Sequence, residues 1–109
     1  MSEFHTVCRV GELQEGQARA IAVGNKVIAV FNHQGEYFAI DDTCPHMGAS
    51  LSDGHVENGI VTCPWHAWRF RLADGVWADS PRVKIGSYPV RVEGETIQVA
   101  VPAPPYPEK

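Results

Sequence analysis

This 109-residue chain is poor in the features that mark a membrane anchor, a secreted fold or a nucleic-acid binder. No stretch approaches the roughly 18 consecutive apolar residues of a spanning helix. Met1-Ser2-Glu3-Phe4-His5 has neither the positive start nor the apolar run of a secretory leader, so a cytoplasmic location is expected. Nine Lys and Arg stand against thirteen Asp and Glu, and there is no basic run. The formal net charge of −4 argues against nucleic acid and suits a basic protein surface as partner. Cysteine is scarce too. Of the three, Cys44 and Cys63 each stand near a histidine and Cys8 stands by itself. No intramolecular disulfide can form without taking one of that pair. Cys8 lies in an apolar strand pattern and is expected to be an inert buried thiol. There is no apolar stripe lasting three helical turns, no internal repeat, no phosphate-binding glycine loop and no nucleophile–base set.

The chain has instead short apolar segments broken by turn residues, the pattern of an all-β fold. Phe4 to Val10 is expected as a first strand. Ala18 to Val23 and Lys26 to Phe31 flank Gly24-Asn25 as a hairpin, and His33-Gln34-Gly35 turns the chain into Tyr37 to Ile40. Val56 and Ile60 to Thr62 flank Glu57-Asn58-Gly59, where Asn-Gly is a strong two-residue turn signal. Trp68 to Leu72 and Val76-Trp77 flank Asp74-Gly75. Tyr88 to Val92 and Thr96 to Val101 flank Glu93-Gly94. Trp68, Phe70 and Leu72 share one face opposite Arg69 and Arg71, and Ile97, Val99 and Val101 share one opposite Thr96 and Gln98, the period of half-buried strands. Residues 1–101 are expected to form one domain. Residues 102–109, with prolines at 102, 104, 105 and 107, are expected to form an extended tail.

Two loops, at about 41–55 and 63–69, carry the most specific feature. Cys44-Pro45-His46 and Cys63-Pro64-Trp65-His66 are mixed clips with sixteen residues between His46 and Cys63. Proline removes free dihedrals, so the donors are largely held before a metal arrives. Gly48 and Gly54 are expected to permit turns that a β-branched residue would not. Two thiolates and two imidazoles fit zinc, or a [2Fe–2S] cluster in which two His replace two Cys on one iron. The first would make a zinc-stabilised β module that only binds proteins, the second an electron carrier. Zinc fingers pair Cys with Cys and His with His, with the His pair on a helix. Here each clip is mixed and both follow strands. Asp41 and Asp42 lead into the first loop, where a local turn or cap is expected. His5, His33 and His55 lie outside the clips and are expected to be ordinary solvated side chains, with His55 near a docking surface.

The stretch Cys44-Pro45-His46-Met47-Gly48-Ala49-Ser50-Leu51-Ser52-Asp53-Gly54, followed by Val61-Thr62-Cys63-Pro64-Trp65-His66-Ala67-Trp68-Arg69-Phe70, closely resembles the Rieske family signature. The likeness runs on through Asp74-Gly75 and Tyr88-Pro89-Val90 and spans nearly residues 4–101. It implies a Rieske-type antiparallel β-sandwich with a two-loop cluster-binding subdomain, and a Rieske-type [2Fe–2S] cluster. Cys44 and Cys63 would ligate one iron through sulfur, and His46 and His66 the other through a ring nitrogen. With both irons fully ligated there is no open position for a substrate, so no catalysis by the chain alone is expected. In the high-potential branch of the family, the positions aligning with Ala49 and Trp65 are a disulfide pair. Those aligning with Trp68 and Phe70 carry hydroxyls aimed at sulfur. All four features are missing here, which implies a potential near the roughly −150 mV end of the Rieske range. Met47, Trp65 and Pro81 would cover the cluster.

In size and in its lack of an oxygenase domain, the chain resembles the freestanding ferredoxin components of aromatic-ring dioxygenase systems. Such a carrier takes one electron from a flavoprotein reductase and passes it to a terminal oxygenase through a small, transient contact. It would be a monomer as isolated. The alternative implied is the small subunit of an assimilatory NAD(P)H nitrite reductase, held on a large sirohaem subunit.

Overall fold

The computed structural model of the chain describes residues 2–23, 26–43, 50–64, 68–79 and 82–102. These residues form ten strands: β1 (Ser2–Arg9), β2 (Ala18–Val23), β3 (Lys26–His33), β4 (Glu36–Asp41), β5 (His55–Glu57), β6 (Ile60–Thr62), β7 (Arg69–Arg71), β8 (Ser87–Tyr88), β9 (Val90–Glu93) and β10 (Thr96–Pro102). Two 3₁₀ turns, Val10–Glu12 and Leu51–Asp53, complete the regular structure. Three antiparallel sheets result, ordered β1-β10-β9, β2-β3-β4-β8 and β5-β6-β7. Among the described residues no helix is long and apolar enough to cross a membrane.

The run Ile28-Ala29-Val30-Phe31 in β3 is apolar at every position instead of every second one, and all four residues are buried. A strand of that kind must be covered on both faces. Ile28 and Val30 pack with Leu13, Ile97, Val99 and Val101 in one core. Ala29 and Phe31 pack with Leu51, Val61, Phe70 and Leu72 in the other. The four-stranded sheet is therefore a middle layer. The first sheet closes one face as the expected sandwich, and β5-β6-β7 closes the other as a small subdomain.

Local chemistry sets the corners. The β3–β4 and β5–β6 hairpins close through Gln34-Gly35 and Asn58-Gly59, with φ of 54° and 84°, and 55° and 76°. Two successive positive φ values make the turn whose twist matches paired strands. The expected strand from Tyr88 to Val92 is in fact two. Pro89 has no N–H to donate to a ladder. Tyr88 pairs with Ala39 in the middle sheet, and Val90 pairs with Val99 in the outer one. The first strand ends at Arg9, one residue short of the expected Val10, which opens a 3₁₀ turn held by a bond from its N–H to Glu95 O at 2.8 Å. The Gly24-Asn25 turn and residues 103–109 of the tail lie outside the described residues.

Gly54 also differs from expectation in its reason. Its φ of −81° and ψ of 174° suit any residue. What glycine supplies is closeness, because a Cβ here would lie 2.3 Å from Thr62 O and 3.1 Å from Leu51 O. The third sheet thus touches the end of the first loop backbone to backbone. Gly54→Ala should cost about 1–3 kcal/mol through forced backbone shifts, read as a lowered midpoint in denaturant unfolding with an unchanged slope.

Candidate metal centre

Of the expected ligands, Cys63 is described; Cys44, His46 and His66 lie outside the described residues, as do Met47, Gly48, Trp65 and Pro81. The described residues show how the two loops are brought together and closed. His55, just after the first loop, pairs with Thr62, just before Cys63. Both loops therefore leave the same end of the third sheet.

The neck of the first loop is closed by an antiparallel bridge between Thr43 and Ser50 and by the buried carboxylate of Asp42. Ser50 Oγ donates to Asp42 Oδ2 at 2.6 Å, and the Ser52 N–H donates to Oδ1 at 2.8 Å. The Leu51 N–H reaches Asp42 O at 2.7 Å, while Leu51 itself is fully buried in the core below. A buried carboxylate is tolerable because donors satisfy both oxygens. Asp41 works in another direction. Its Oδ2 accepts the Gly86 N–H at 2.7 Å, and its Oδ1 accepts the Tyr88 hydroxyl at 2.5 Å. Burial, then the Asp41 hydrogen bond and charge, pushes the Tyr88 phenol well above its ordinary value. The local cap expected at both aspartates is thus a set of longer ties, spanning 45 and 47 residues from Asp41.

The second neck is closed by the Cys63 N–H, which donates to Trp68 O at 2.6 Å. Cys63 is 2% exposed, in the same core as Val61, Phe70 and Leu72. Trp68 stacks on Trp77 with ring centroids 4.2 Å apart and planes 9° apart, and lies 6.4 Å from Phe70. Phe70 is fully buried. The Trp77 Nε1–H is buried without a hydrogen-bond partner among the described residues, a cost of about 1–3 kcal/mol. Outside this wall, Arg69 pairs with Asp79, and its carbonyl oxygen accepts the Ala78 N–H at 2.8 Å.

A soft sulfur donor with its back in an apolar core, beside two loops closed at their necks, fits a sulfur-ligated cluster shielded from water. Cys8 is buried in the opposite core, and burial pushes its thiol up, as an inert cysteine requires. His5 and His33 lie partly buried in β1 and β3, and His55 is exposed at the start of β5. The sequence reading missed the part of Trp77 and of the Asp42–Ser50–Ser52 set. Counting back across a two-residue Asp74-Gly75 turn would set Trp77 opposite Leu72; the turn instead spans 72–75, closed by the Arg71 N–H on Val76 O at 2.9 Å, and that register sets Trp77 opposite Phe70.

A model of the Rieske [2Fe–2S] domain matches residues 3–89. The chain is 41% identical over 97 residues to the 3-phenylpropionate/cinnamic acid dioxygenase ferredoxin subunit of Escherichia coli (strain K12), covering 87% of this chain and 91% of that one. A chain in the complex of reduced oxygenase and oxidized ferredoxin in carbazole 1,9a-dioxygenase superposes with a TM-score of 0.82 at 33% identity, over 89% of this chain and 92% of that one. A putative NADH-dependent nitrite reductase small subunit from Mycobacterium tuberculosis gives 0.88 at 30% identity, over 94% and 98%.

Two outcomes follow from the aspartate ties. Asp42→Ala removes the acceptor of two hydrogen bonds and should lower unfolding stability by about 2–4 kcal/mol, measured by denaturant titration. Tyr88 is held protonated by the fold, so its contribution is complete below the ordinary tyrosine value of about 10. It is lost as pH rises from there through the higher folded value. Tyr88→Phe should be less stable than the parent at pH 8, and its stability should fall less steeply above pH about 10.

Proposed function

This chain belongs to the Rieske [2Fe–2S] family, and from that premise we propose that it is a one-electron carrier, the ferredoxin component of an oxygenase system. Cys44 and Cys63 are the proposed sulfur ligands, and His46 and His66 the nitrogen ligands. When bound, a [2Fe–2S] cluster supplies one reversible electron and needs no open coordination position. The observation that carries the reading is the match to a ferredoxin subunit, 91% of whose length this chain covers at 41% identity. Residues 1–101 are the proposed redox domain and 102–109 an appended tail, whose first residue, Pro102, still pairs with Ser2 at the end of β10.

The residues around the proposed site have definite tasks. Asp42 and the Thr43–Ser50 bridge hold the ends of the first loop together. The Cys63–Trp68 backbone bond does the same for the second. Trp68 and Phe70 form an apolar wall next to Cys63 and offer no hydroxyl to sulfur. Fewer hydrogen bonds to sulfur leave the reduced state less stabilised, which supports a low potential within the Rieske range. The proposed partners are a flavoprotein reductase as donor and a terminal oxygenase as acceptor, met by a monomer in the cytoplasm. Transfer as a fixed subunit of a nitrite reductase is the second reading. The 0.88 TM-score to a nitrite reductase small subunit favours it.

Electron paramagnetic resonance and voltammetry on the reduced and oxidised protein test the reading. A rhombic reduced signal and a reversible couple at the low end of the Rieske range are expected, and both should vanish in Cys63→Ser. Colourless, redox-silent protein loaded with zinc would overturn it. Phe70→Tyr adds a hydroxyl to the wall while leaving the Trp68–Trp77 stack intact, and should move the potential upward. An unmoved potential would sink the account of its tuning. Stable co-elution with a large sirohaem subunit would shift the assignment to the second reading.

A further inference from the structure

We propose that Trp77 is a positioning residue for the second ligand clip, holding the clip's exit through the face of its indole. The inference rests on the reading that this clip carries a cluster.

Trp77 lies outside both clips and is no ligand candidate. It reaches the site by register. Trp77 bridges to Phe70 across the Asp74-Gly75 turn. Trp68 stands two residues before Phe70, on the same strand face. A side chain opposite Phe70 can therefore reach Trp68 along the diagonal, a distance that aromatic rings span. The rings meet at 4.2 Å and 9°, a near-parallel stack. Trp68 is also the residue whose carbonyl closes the clip on the Cys63 N–H at 2.6 Å. Fixing the Trp68 ring thus limits the dihedrals of the residue on which the clip's closure depends.

The other side of Trp77 is equally tied. Its backbone N–H donates to Val83 O at 2.9 Å, and the neighbouring Ala78 N–H donates to Arg69 O at 2.8 Å. Asp79 completes the clamp by pairing with the Arg69 guanidinium. Trp77 therefore roots the segment that leads to Pro81 and stacks on the exit of the second clip. One residue couples the two, its backbone on the segment and its ring on the clip. The ring is the working part, because the indole N–H has no hydrogen-bond partner among the described residues.

The test compares the reconstituted parent protein with Trp77→Leu and Trp77→Phe. The readouts are the bleaching rate of the visible band under a chelator, the reduced resonance line shape and the reduction potential. Trp77→Leu removes the flat partner. It should bleach about fivefold faster, the scale of one lost aromatic stack. Its resonance should broaden. Its potential should rise, because a looser clip admits water that favours the more negative reduced centre. Trp77→Phe keeps a flat face and should stay within about twofold of the parent on bleaching, with the parent's line shape. If Trp77→Leu gives no folded protein, Trp77→Met supplies the ringless comparison. Parent-like bleaching and potential in the ringless variant would overturn the inference. So would a Trp77→Phe variant as impaired as the ringless one, since the ring face would then not be the working part. A parent protein that takes up no cluster would instead overturn the functional reading on which the inference stands.

Discussion

Everything else in this fold depends on a middle strand that must be dry on both faces. β3 puts Ile28 and Val30 toward one core and Ala29 and Phe31 toward the other. Exposing either side would forfeit roughly 25 cal/mol for each Å² of apolar surface left in water. A single sandwich partner satisfies only half of that demand. The second half is met by β5-β6-β7, a sheet whose longest strands have three residues and which could not stand alone. The small sheet owes its stability to the large one, and the two loops leave from its end. The centre is thus set on a platform held by the body's core.

On that platform, polar fastening is concentrated in two successive residues. Neighbouring side chains along an extended segment point opposite ways. Asp41 is directed to Gly86 and Tyr88 on the far strand, and Asp42 to Ser50 and Ser52 at the loop's exit. One carboxylate sews β4 to β8 and the next closes the neck. Gly86 is needed for the first tie, since a Cβ there would lie 2.4 Å from the Tyr88 hydroxyl oxygen and 2.9 Å from Asp41 Oδ2. Donors converging on each carboxylate offset the cost of removing charge from water.

What was legible in the sequence divides along the range of the interactions. The hairpins were readable because their signals are local: Asn58-Gly59 and Gln34-Gly35 declare their turns, and the alternation of Trp68, Phe70 and Leu72 declares a buried face. The family was readable because the clips are short and specific. The split at Pro89 could have been argued from its missing N–H, but the departure of its two neighbours into different sheets is a tertiary outcome. The third layer was implied by resemblance and only weakly by the unbroken apolar run of β3. The ties of Asp41 and Asp42, and the stack of Trp77 on Trp68, join residues that no short motif relates. Cys44, His46 and His66 are proposed from sequence pattern, and Cys63 is the proposed ligand whose surroundings are described.

Packing and redox tuning meet in the same side chains. Phe70 is fully buried beside Cys63, and Trp68 is held in a stack. A hydroxyl placed in such a wall would be a buried polar group, costing about 1–3 kcal/mol unless an acceptor receives it. A sulfur of the centre can be that acceptor, and the bond would then stabilise the more negative reduced state. A high potential consequently requires a wall that is well satisfied only when the cluster is bound. A wall without hydroxyls has no such dependence. It packs equally well before and after the centre arrives, and it leaves the sulfurs with fewer hydrogen bonds. The proposed low potential and the dry aromatic wall are therefore two consequences of one choice of residues at positions 68 and 70.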